Sequence, residues 1–361
     1  MAIGSAPSTP GSVTIEPSAA IQPIAPEWDA LVARTGDPPF LRPGWFTAWW
    51  SAFADGAPLV LTARRDRLVG VLPLRRRAGA LLSPANVHTP GFGLVAEDRE
   101  AAHALATALF AARPRMVALD RLAAGDAALS EVAGAARAAG HRILVRVLQR
   151  SPYATLHPGD DLDARLGRKH AHELRRFERR LRAAGRVDVD VCDGRERLEA
   201  LLAEGFVLED SGWKAARGTA IASTPATLHF YSGLARWAAH HGLLRLAFLR
   251  LDGRGIAFHF ALQYATGYYL LKSGYDPAYA HCAPGRLLVR AMLAHTIAQG
   301  VPRFDLLGGD DPWKREWARE QCTRVTLRTF APTPLGTIDR ALHSAVLYGR
   351  PVAKRTLDRA R

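Results

Sequence analysis

The spacing of apolar and polar residues predicts one order of strands and helices that occurs twice along the chain. In the first half, alternating runs predict a β-hairpin over Pro58–Arg64 and Arg67–Leu74. A helix over Arg99–Ala112 and a strand over Arg115–Leu122 follow. The second half repeats the order, with three strands, a helix and a last strand at Leu243–Leu251, Ile256–Tyr264, Tyr268–Tyr275, Gly285–Gln299 and Arg303–Leu307.

This order predicts an α+β fold. Strands follow one another directly before a single helix, as short antiparallel strands joined by tight turns do. A Rossmann unit would instead place a helix between each pair of parallel strands. The lone Gly91-Phe92-Gly93 lacks the third glycine of a dinucleotide fingerprint. We therefore expect mixed, largely antiparallel sheets flanked by helices.

Length and composition favour two globular units in a reducing compartment. The chain has 361 residues, 48% hydrophobic and 23% charged, enough to bury a sizeable core. No run of 18 apolar residues occurs, and the first 26 residues lack the charged and apolar regions of a signal peptide. Cys192, Cys282 and Cys322 are widely spaced, so we expect a cytoplasmic protein with no disulfide framework and no metal site.

Positive charge is concentrated in two segments. Of the net charge of +14, Arg165–Arg186 carries +7 and Arg340–Arg361 carries +5, so the rest of the chain is nearly neutral. In the first segment Leu174, Phe177 and Leu181 recur at helical spacing and predict a helix docked by a narrow apolar seam. It is either a solvated connector or a patch for phosphate-bearing ligands, RNA or acidic lipid. The second segment is either a surface amphipathic helix or a helix that caps the fold.

A Pro-Gly pair stands where a predicted strand gives way to a helix. A helix start carries backbone N–H groups without intrahelical partners, and Gly285 has no side chain to block an anion. Arg286 could add a charge-assisted contact to phosphate. An ordinary tight turn is the alternative interpretation. The predicted anion-binding residues are Ala283, Pro284, Gly285, Arg286, Leu287 and Leu288.

Several motifs together resemble the GNAT-type acetyltransferases related to CelD of cellulose-biosynthesis operons, which in turn resemble the Fem-type aminoacyltransferases. The motifs are Tyr275-Asp276 with the Pro-Gly-x-Leu-Leu run, Asp305-Leu306-Leu307-Gly308-Gly309-Asp310, Trp313-Lys314, the entry around Trp45 and Trp49-Trp50, Val69–Leu74, the helix from Arg168 to Leu181, and Ser211-Gly212-Trp213-Lys214. The resemblance covers roughly residues 27 to 330. It identifies an acyl-transfer scaffold.

The resemblance implies tandem GNAT-like folds and acetyl-CoA, or another acyl-CoA, as co-substrate. It implies an N-terminal GNAT-like lobe (27–150) and an acyl-CoA-binding lobe (151–330), while composition and charge predict a flexible leader (1–26) and a basic C-terminal helix (331–361). The CoA pyrophosphate would lie on the helix start at Pro284–Leu288. The usual glycine-rich loop of the family is here a segment with the single glycine Gly285.

Acyl transfer to an amine needs a neutral nucleophile, a polarised thioester carbonyl and a proton for the leaving thiolate. No Ser-His-Asp or Cys-His pair appears, which favours direct transfer over a covalent acyl-enzyme. Asp276, His281 and Asp305 are candidate bases. Each has a structural alternative: Asp276 is a good turn residue, His281 suits a solvated loop, and Asp305 could cap a helix.

The resemblance to Fem-type enzymes also assigns an acceptor site. Lys314 would engage an anionic acceptor. Trp313 and Trp317, four residues apart, either line one side of a pocket or pack in the core. Tyr275 and Trp213-Lys214 would supply further walls.

The resemblance predicts an acyltransferase that acts on an amine or hydroxyl of a sugar, glycan precursor or envelope-related metabolite. A role in exopolysaccharide or cellulose production follows from the family alone, as does association with a polysaccharide synthase or with the inner membrane. One alternative is a Fem-type transferase that uses aminoacyl-tRNA and contacts it through Arg165–Arg186; otherwise nucleic acid is not expected. The other is a non-catalytic GNAT-like scaffold at the membrane surface.

Overall fold

The computed structural model describes residues 12–53, 55–211 and 220–343. These residues form one 13-stranded mixed sheet flanked by helices. The strands are β1 (Thr14–Ser18), β2 (Ala57–Arg64), β3 (Leu68–Arg77), β4 (Ala80–Leu82), β5 (Val95–Ala96), β6 (Met116–Ala123), β7 (Arg142–Thr155), β8 (Val187–Cys192), β9 (Leu244–Leu251), β10 (Arg254–Tyr264), β11 (Gly267–Tyr275), β12 (Arg303–Asp305) and β13 (Glu320–Phe330). The helices are α1 (Ala25–Thr35), α2 (Pro43–Phe53), α3 (Arg99–Ala111), α4 (Ala127–Ala138), α5 (Leu162–Leu166), α6 (Arg168–Ala184), α7 (Leu198–Asp210), α8 (Pro225–His240), α9 (Pro284–Ala298), α10 (Pro312–Arg315) and α11 (334–343).

The repeated order of strands and helices is confirmed. In the first half, β4 pairs in parallel with β6 across α3, and in the second half β11 pairs in parallel with β12 across α9. The remaining neighbours in the sheet are antiparallel. The mixed, largely antiparallel sheet predicted from the sequence is therefore present.

The strands β7 and β13 connect the two halves of the sheet, because each pairs with strands of the other half. The order along the main path of the sheet is β1-β2-β3-β4-β6-β13-β7-β12-β11-β10-β9-β8. The last strand of the second half, β13, thus lies between β6 and β7, whereas the end of β7 pairs with β12 at Tyr153–Thr155. Because β7 spans residues 142–155, the expected division between residues 150 and 151 falls inside this strand.

The structure differs from the predicted leader and from the predicted end of β12. Thr14–Ser18 pairs with β2 at the edge of the sheet, and Ile21 and Ile24 are buried in the core, so apolar burial orders this part of the leader. The strand at Arg303 ends at Asp305, because Leu307 has a φ of +49° that a strand does not accommodate. Residues 344–361 of the predicted basic C-terminal helix lie outside the described residues.

The apolar seam of the basic helix is confirmed. Leu174 and Leu181 of α6 are fully buried, and the partly buried Phe177 packs on the same core cluster as β9, β10 and α9. The arginines of α6 lie on its exposed faces. No helix in the described part of the chain combines the length and apolarity needed to cross a bilayer.

Candidate functional site

A cavity of about 880 Å³ opens where the parallel strands β11 and β12 separate. The two strands pair only at Tyr268 with Phe304 and at Tyr269 with Asp305. Beyond this point β11 continues to Tyr275, whereas β12 ends at Asp305 and the segment after it turns away. The facing edge of β11 therefore lines a cleft instead of a neighbouring strand.

A β-bulge marks the point where β11 enters this cavity. Leu270 pairs with Ala261 of β10 and Lys272 pairs with Phe260, so Leu271 is an extra residue with no partner on β10. A bulge disrupts the ladder and redirects backbone groups. Leu271 and Lys272 both line the cavity.

The start of α9 forms another part of the cavity wall. Ala283 precedes the helix in a left-handed conformation (φ +48°), and its carbonyl accepts the N–H groups of both Arg286 and Leu287. Within the described residues, only Gly285 retains a first-turn N–H without a backbone partner, since Pro284 has none to offer. The sequence predicted several such groups, and the structure corrects this to one.

Two of the six predicted anion-binding residues line the cavity. These two residues are Gly285 and Arg286. Val289, which the sequence analysis did not identify, also lines the cavity. Leu287 and Leu288 are buried in the core instead, because they occupy the helix face that packs on the sheet. Ala283 and Pro284 shape the turn.

Arg286 is already paired with carboxylates. Its Nη2 lies 3.0 Å from Glu173 of α6 and 3.0 Å from Glu316. The pair with Glu173 connects the start of α9 to α6, and the pair with Glu316 connects it to the segment that follows α10. Any contact of Arg286 with a ligand anion would compete with them.

The predicted acceptor residues Tyr275, Trp313 and Lys314 all line the same cavity as Gly285. Trp313 and Tyr275 are 37% and 39% exposed, so both rings are accessible at its mouth. Lys314 is 7% exposed, and its Nζ donates to the carbonyls of Leu307 and Gly309, each at 2.9 Å. It also lies 2.9 Å from Asp311, so its contacts are with its own turn.

Other predicted residues lie away from the cavity lining. Asp305 is 1% exposed; one oxygen accepts the N–H of Leu307 and the other pairs with Arg303. Asp276 caps the short 3-10 helix Pro277–Cys282 and pairs with Arg254 at 2.8 Å. Both therefore have the structural partners that the sequence left as alternatives. The third candidate base, His281, uses its backbone carbonyl to accept from Arg180.

Trp317 does not accompany Trp313 into the cavity. The helix α10 ends at Arg315, and Trp317 is buried at 4% exposure against the ring of His170, with centroids 4.8 Å apart. A spacing of four residues would place Trp313 and Trp317 on one helix face only if α10 continued through Trp317. Trp213 and Lys214 lie outside the described residues.

A second cavity of about 450 Å³ lies between the two halves of the chain. The first half contributes residues of the 87–90 loop together with Arg121 and Gln149, and the second half contributes residues of α8 and β11. Four residues line both cavities, namely Leu271, Lys272, Leu307 and Gly308. The two cavities therefore meet at the bulge of β11.

Lys272 forms a buried charged pair at this junction. Its Nζ lies 3.5 Å from Glu209 of α7, whose side chain is fully buried and also accepts the N–H of Ile221. Burial lowers the pKa of Lys272 although Glu209 opposes the shift. Its ammonium also lies 5.3 Å from the centre of the Tyr231 ring, whose hydroxyl has a pKa raised by burial.

His88 faces the same junction from the first half. Burial and the charges of Lys272 and Arg121 lower the pKa of His88 to about 4, so its ring is neutral near pH 7. Its Nδ1 lies 3.5 Å from the Tyr231 hydroxyl. The sequence analysis did not identify the cluster of His88, Tyr231 and Lys272. The position of Lys272 inside the apolar run of β11 was a signal that could have indicated it.

Comparison with known proteins supports the assignment of this fold. Residues 168–315, from the start of α6 to the end of α10, match the model of an acetyltransferase (GNAT) domain. No curated protein sequence is similar enough to this chain to count as a match.

Three solved structures share the fold at low sequence identity. The C-terminal DUF2156 domain of a candidate lysylphosphatidylglycerol synthetase from Agrobacterium fabrum is 14% identical, with a TM-score of 0.59, and the match covers 91% of this chain and 97% of that one. FemX is 13% identical, with a TM-score of 0.59 and coverage of 86% and 96%. L-PGS from Bacillus licheniformis is 12% identical, with a TM-score of 0.53 and coverage of 87% and 94%.

The family match and the geometry fall on the same part of the chain. The matched residues include β11, the start of α9 and β12, which together form the larger cavity. The chain has a GNAT-like α+β fold, and its residues 168–315 are similar to the GNAT acetyltransferase domain.

Proposed function

We propose that this protein is an acyltransferase that moves an acetyl or other acyl group from acyl-CoA to an amine or hydroxyl of a small acceptor. The observation that carries the proposal is the continuity of two cavities at the β11 bulge. One cavity joins the splayed strands to the start of α9, and the other lies between the halves. A donor in the first and an acceptor in the second would meet at Leu271 and Lys272.

The larger cavity suits the elongated donor. Gly285 offers a free N–H and the positive end of the 15-residue helix α9 to a phosphate group. The free edge of β11 offers backbone groups to the amides of pantetheine, as a neighbouring strand would. Its lining is mostly apolar, and the mouth carries the rings of Tyr275 and Trp313.

The bulge provides a means to polarise the thioester. The acceptor nitrogen or oxygen attacks the carbonyl carbon, the carbon–sulfur bond then breaks, and the CoA sulfur leaves with the electron pair. The attacking atom loses one proton and the thiolate gains one. The backbone N–H of Leu271, which has no partner residue on β10, would stabilise the negative oxygen formed during attack.

Neutral His88 is the side chain best suited to accept the proton of the acceptor. It lines the acceptor cavity and is unprotonated near pH 7 because its pKa is low. Asp276 and Asp305, proposed from sequence, have backbone and arginine partners and do not line either cavity. In this proposal they support the turn and the strand end.

Binding of acetyl-CoA to the full chain tests the proposal. Calorimetry should detect binding, and acetyl-CoA at 100 times its Kd should stabilise the protein by about 2.7 kcal/mol. S-acetylpantetheine, which lacks the nucleotide phosphates, is the matched control and should bind more weakly. A folded protein that binds neither acetyl-CoA nor longer acyl-CoAs would contradict the proposal.

Aminoacyl transfer from tRNA is the second candidate function, and the exposed cations of α6 favour it. Among the described residues, Arg168, Lys169 and Arg179 form no ion pair with a carboxylate. FemX and L-PGS share the fold. Salt-sensitive binding of aminoacyl-tRNA that is lost in Arg175→Glu/Arg179→Glu, with no binding of acyl-CoA, would establish this alternative.

The acceptor is proposed to be a sugar, glycan precursor or envelope-related metabolite, as the resemblance to CelD-type enzymes implies. Association with a polysaccharide synthase or the inner membrane belongs to the same proposal. A scaffold without catalytic function would bind neither acyl-CoA nor aminoacyl-tRNA. The binding experiments above therefore distinguish all three functions.

A further inference from the structure

We infer that the cavity between the halves binds an anionic group, carboxylate or phosphate, of the acceptor through Arg121. That the bound molecule is the acceptor rests on the proposed function. The anion site itself follows from the residues that line the cavity. It assigns a substrate class: a small molecule that carries both a nucleophile and an anion.

The charges lining the second cavity are of one sign. Arg121 and Lys272 line it, and none of the described residues in its wall is a carboxylate. Lys272 has Glu209 as its partner. Arg121 forms no ion pair with any carboxylate in the described part of the chain, and its nearest acidic neighbour in sequence, Asp120, pairs with Arg328 at 2.8 Å. A partly buried guanidinium without a carboxylate is costly unless a ligand supplies the anion.

A network of hydrogen bonds holds Arg121 in place. Its Nη1 donates to Oε1 of Gln149 at 2.7 Å, and the amide nitrogen of Gln149 donates to Ser151 at 3.0 Å. Ser151 in turn donates to the carbonyl of Gly308 at 2.7 Å. The network thus runs from Arg121 to a residue that lines both cavities. It uses one of the five guanidinium N–H groups in an Arg–Gln bond, which leaves others for a bidentate contact.

The backbone of Arg121 is also unusual. It has a φ of +69°, a conformation that costs a non-glycine residue on the order of 1 kcal/mol and that clusters at functional sites. Its carbonyl accepts the N–H of Phe92, which ties it to the loop that carries His88. Arg121 lies within β6 at an irregularity in its pairing with β13, between Leu119 and Leu122, and lines the cavity from there.

A second guanidinium strengthens the positive field. Burial is the main cause that lowers the pKa of Arg121; the charge of Asp120 opposes this shift, and the charge of Arg324 of β13 adds to it. Arg324 is accommodated by Gly91, where a Cβ would lie 2.9 Å from the guanidinium carbon. Arg324 does not itself line the cavity, so it adds to the positive field at Arg121 without being a ligand of the anion.

The proposed anion site and the proposed point of attack lie at different parts of the cavity lining. Arg121 and Gln149 are at the end of the cavity contributed by the first half, whereas Leu271 and Lys272 form the junction with the donor cavity. With a volume of about 450 Å³, the cavity has room for a monosaccharide-sized group. The acceptor would place its anion on Arg121 and its nucleophile at the bulge.

Binding of simple anions to the full chain tests the site without knowledge of the acceptor. At constant ionic strength, calorimetry with inorganic phosphate and with acetate should detect binding to the wild-type protein, and the preferred anion identifies the group. Arg121→Gln should weaken that binding at least 10-fold, and Arg121→Lys should weaken it less. Arg137→Gln, on the exposed face of α4, is the matched control and should leave it unchanged.

The variants separate this site from the donor site. Anion binding that persists in Arg121→Gln, or that is absent from the wild-type protein, would overturn the inference. Anion binding that is lost in Gly285→Val but kept in Arg121→Gln would assign the anion to the start of α9 and would also overturn it. Failure of acetyl-CoA to bind would remove the proposed function and leave the result for Arg121 standing.

Discussion

The Nζ atom of Lys314 lies 2.9 Å from the carbonyl oxygen of Leu307, a residue that lines both cavities. The same ammonium holds the carbonyl of Gly309 and the carboxylate of Asp311. Lys314 therefore fixes the turn that lies between the two cavities. The resemblance to Fem-type enzymes implies that Lys314 binds the acceptor directly; because these contacts occupy its ammonium, we propose instead that it positions the turn.

Lys314→Met should lower both stability and turnover. It leaves the buried carbonyl of Leu307 and the partly exposed carbonyl of Gly309 without their donor, which costs about 2 kcal/mol in the free energy of unfolding. We expect kcat to fall at least 10-fold because the turn loses its shape, with a smaller change in acetyl-CoA affinity. Arg315→Met, which removes an exposed ion pair with Asp310, is the control. Wild-type melting temperature and full activity in Lys314→Met would contradict this role.

Gly285→Val should weaken acyl-CoA binding without unfolding the protein. A Cβ at Gly285 would meet only the Tyr275 ring, at 3.4 Å, so the first carbon is tolerated. The branched methyl groups would extend toward the free N–H and obstruct a phosphate. We expect the Kd for acetyl-CoA to rise about 10-fold, or about 1.4 kcal/mol. Gly134→Val, where a Cβ meets nothing within 4 Å, should leave the Kd unchanged.

Leu174→Asp should destabilise the protein strongly. Leu174 is fully buried in the core under α6, and a carboxylate there would have no partner. The loss should exceed about 3 kcal/mol in urea unfolding. His172→Asp, on the exposed face of the same helix, should change stability by less than about 0.5 kcal/mol. A silent Leu174→Asp would mean that α6 is not docked as described.

The pair of Lys272 and Glu209 should show strong coupling. Lys272→Met leaves the fully buried Glu209 carboxylate without its ammonium and should cost about 3 kcal/mol. Adding Glu209→Gln removes the uncompensated charge and should restore part of the stability. A double-mutant cycle from urea unfolding measures this coupling. Purely additive effects would show that the two charges do not depend on each other.

His88 should make stability depend on pH. Its pKa is about 4 in the folded protein and about 6.5 when unfolded, so the unfolded chain binds the extra proton between these values. Its contribution is present above pH 6.5 and is lost as the pH falls toward 4. Because His88 is partly exposed, we expect an effect on the order of 2 kcal/mol.

Comparison of His88→Gln with the wild-type protein isolates this contribution. The variant should lose less stability than the wild-type protein between pH 6.5 and 4.5, as measured by urea unfolding at each pH. His172→Gln, at an exposed position, should follow the wild-type protein. Identical pH profiles for His88→Gln and wild type would contradict the low pKa.

Local patterns predicted the elements whose signals are contained in short segments. The apolar periodicity of α9 and the Pro-Gly pair at its start located that helix to within one residue at each end. The strands β9 to β11 followed from alternation and from turns at Gly253 and Gly267 in the same way. Patterns of this kind report on the chain within one element.

The features that the sequence did not predict depend on contacts between residues far apart in the chain. The central strands β7 and β13 were not predicted, because β7 has exposed Val145, Val147 and Leu148 and does not show clean alternation. Residues of the acceptor cavity come from segments as distant as His88 and Lys272, and nothing local links them. Gly285 and Lys314 were found because each stands in a recognisable motif.

The crossing of β7 and β13 also determines when each half can be completed during synthesis. The first half lacks its neighbour for β6 until Glu320–Phe330 has left the ribosome, since β13 occupies that place in the sheet. Until then the edges of β6 and β7 are open, which is a state that invites wrong pairing. The cavity between the halves can therefore form only after nearly the whole chain is made, so an interrupted chain would lack it.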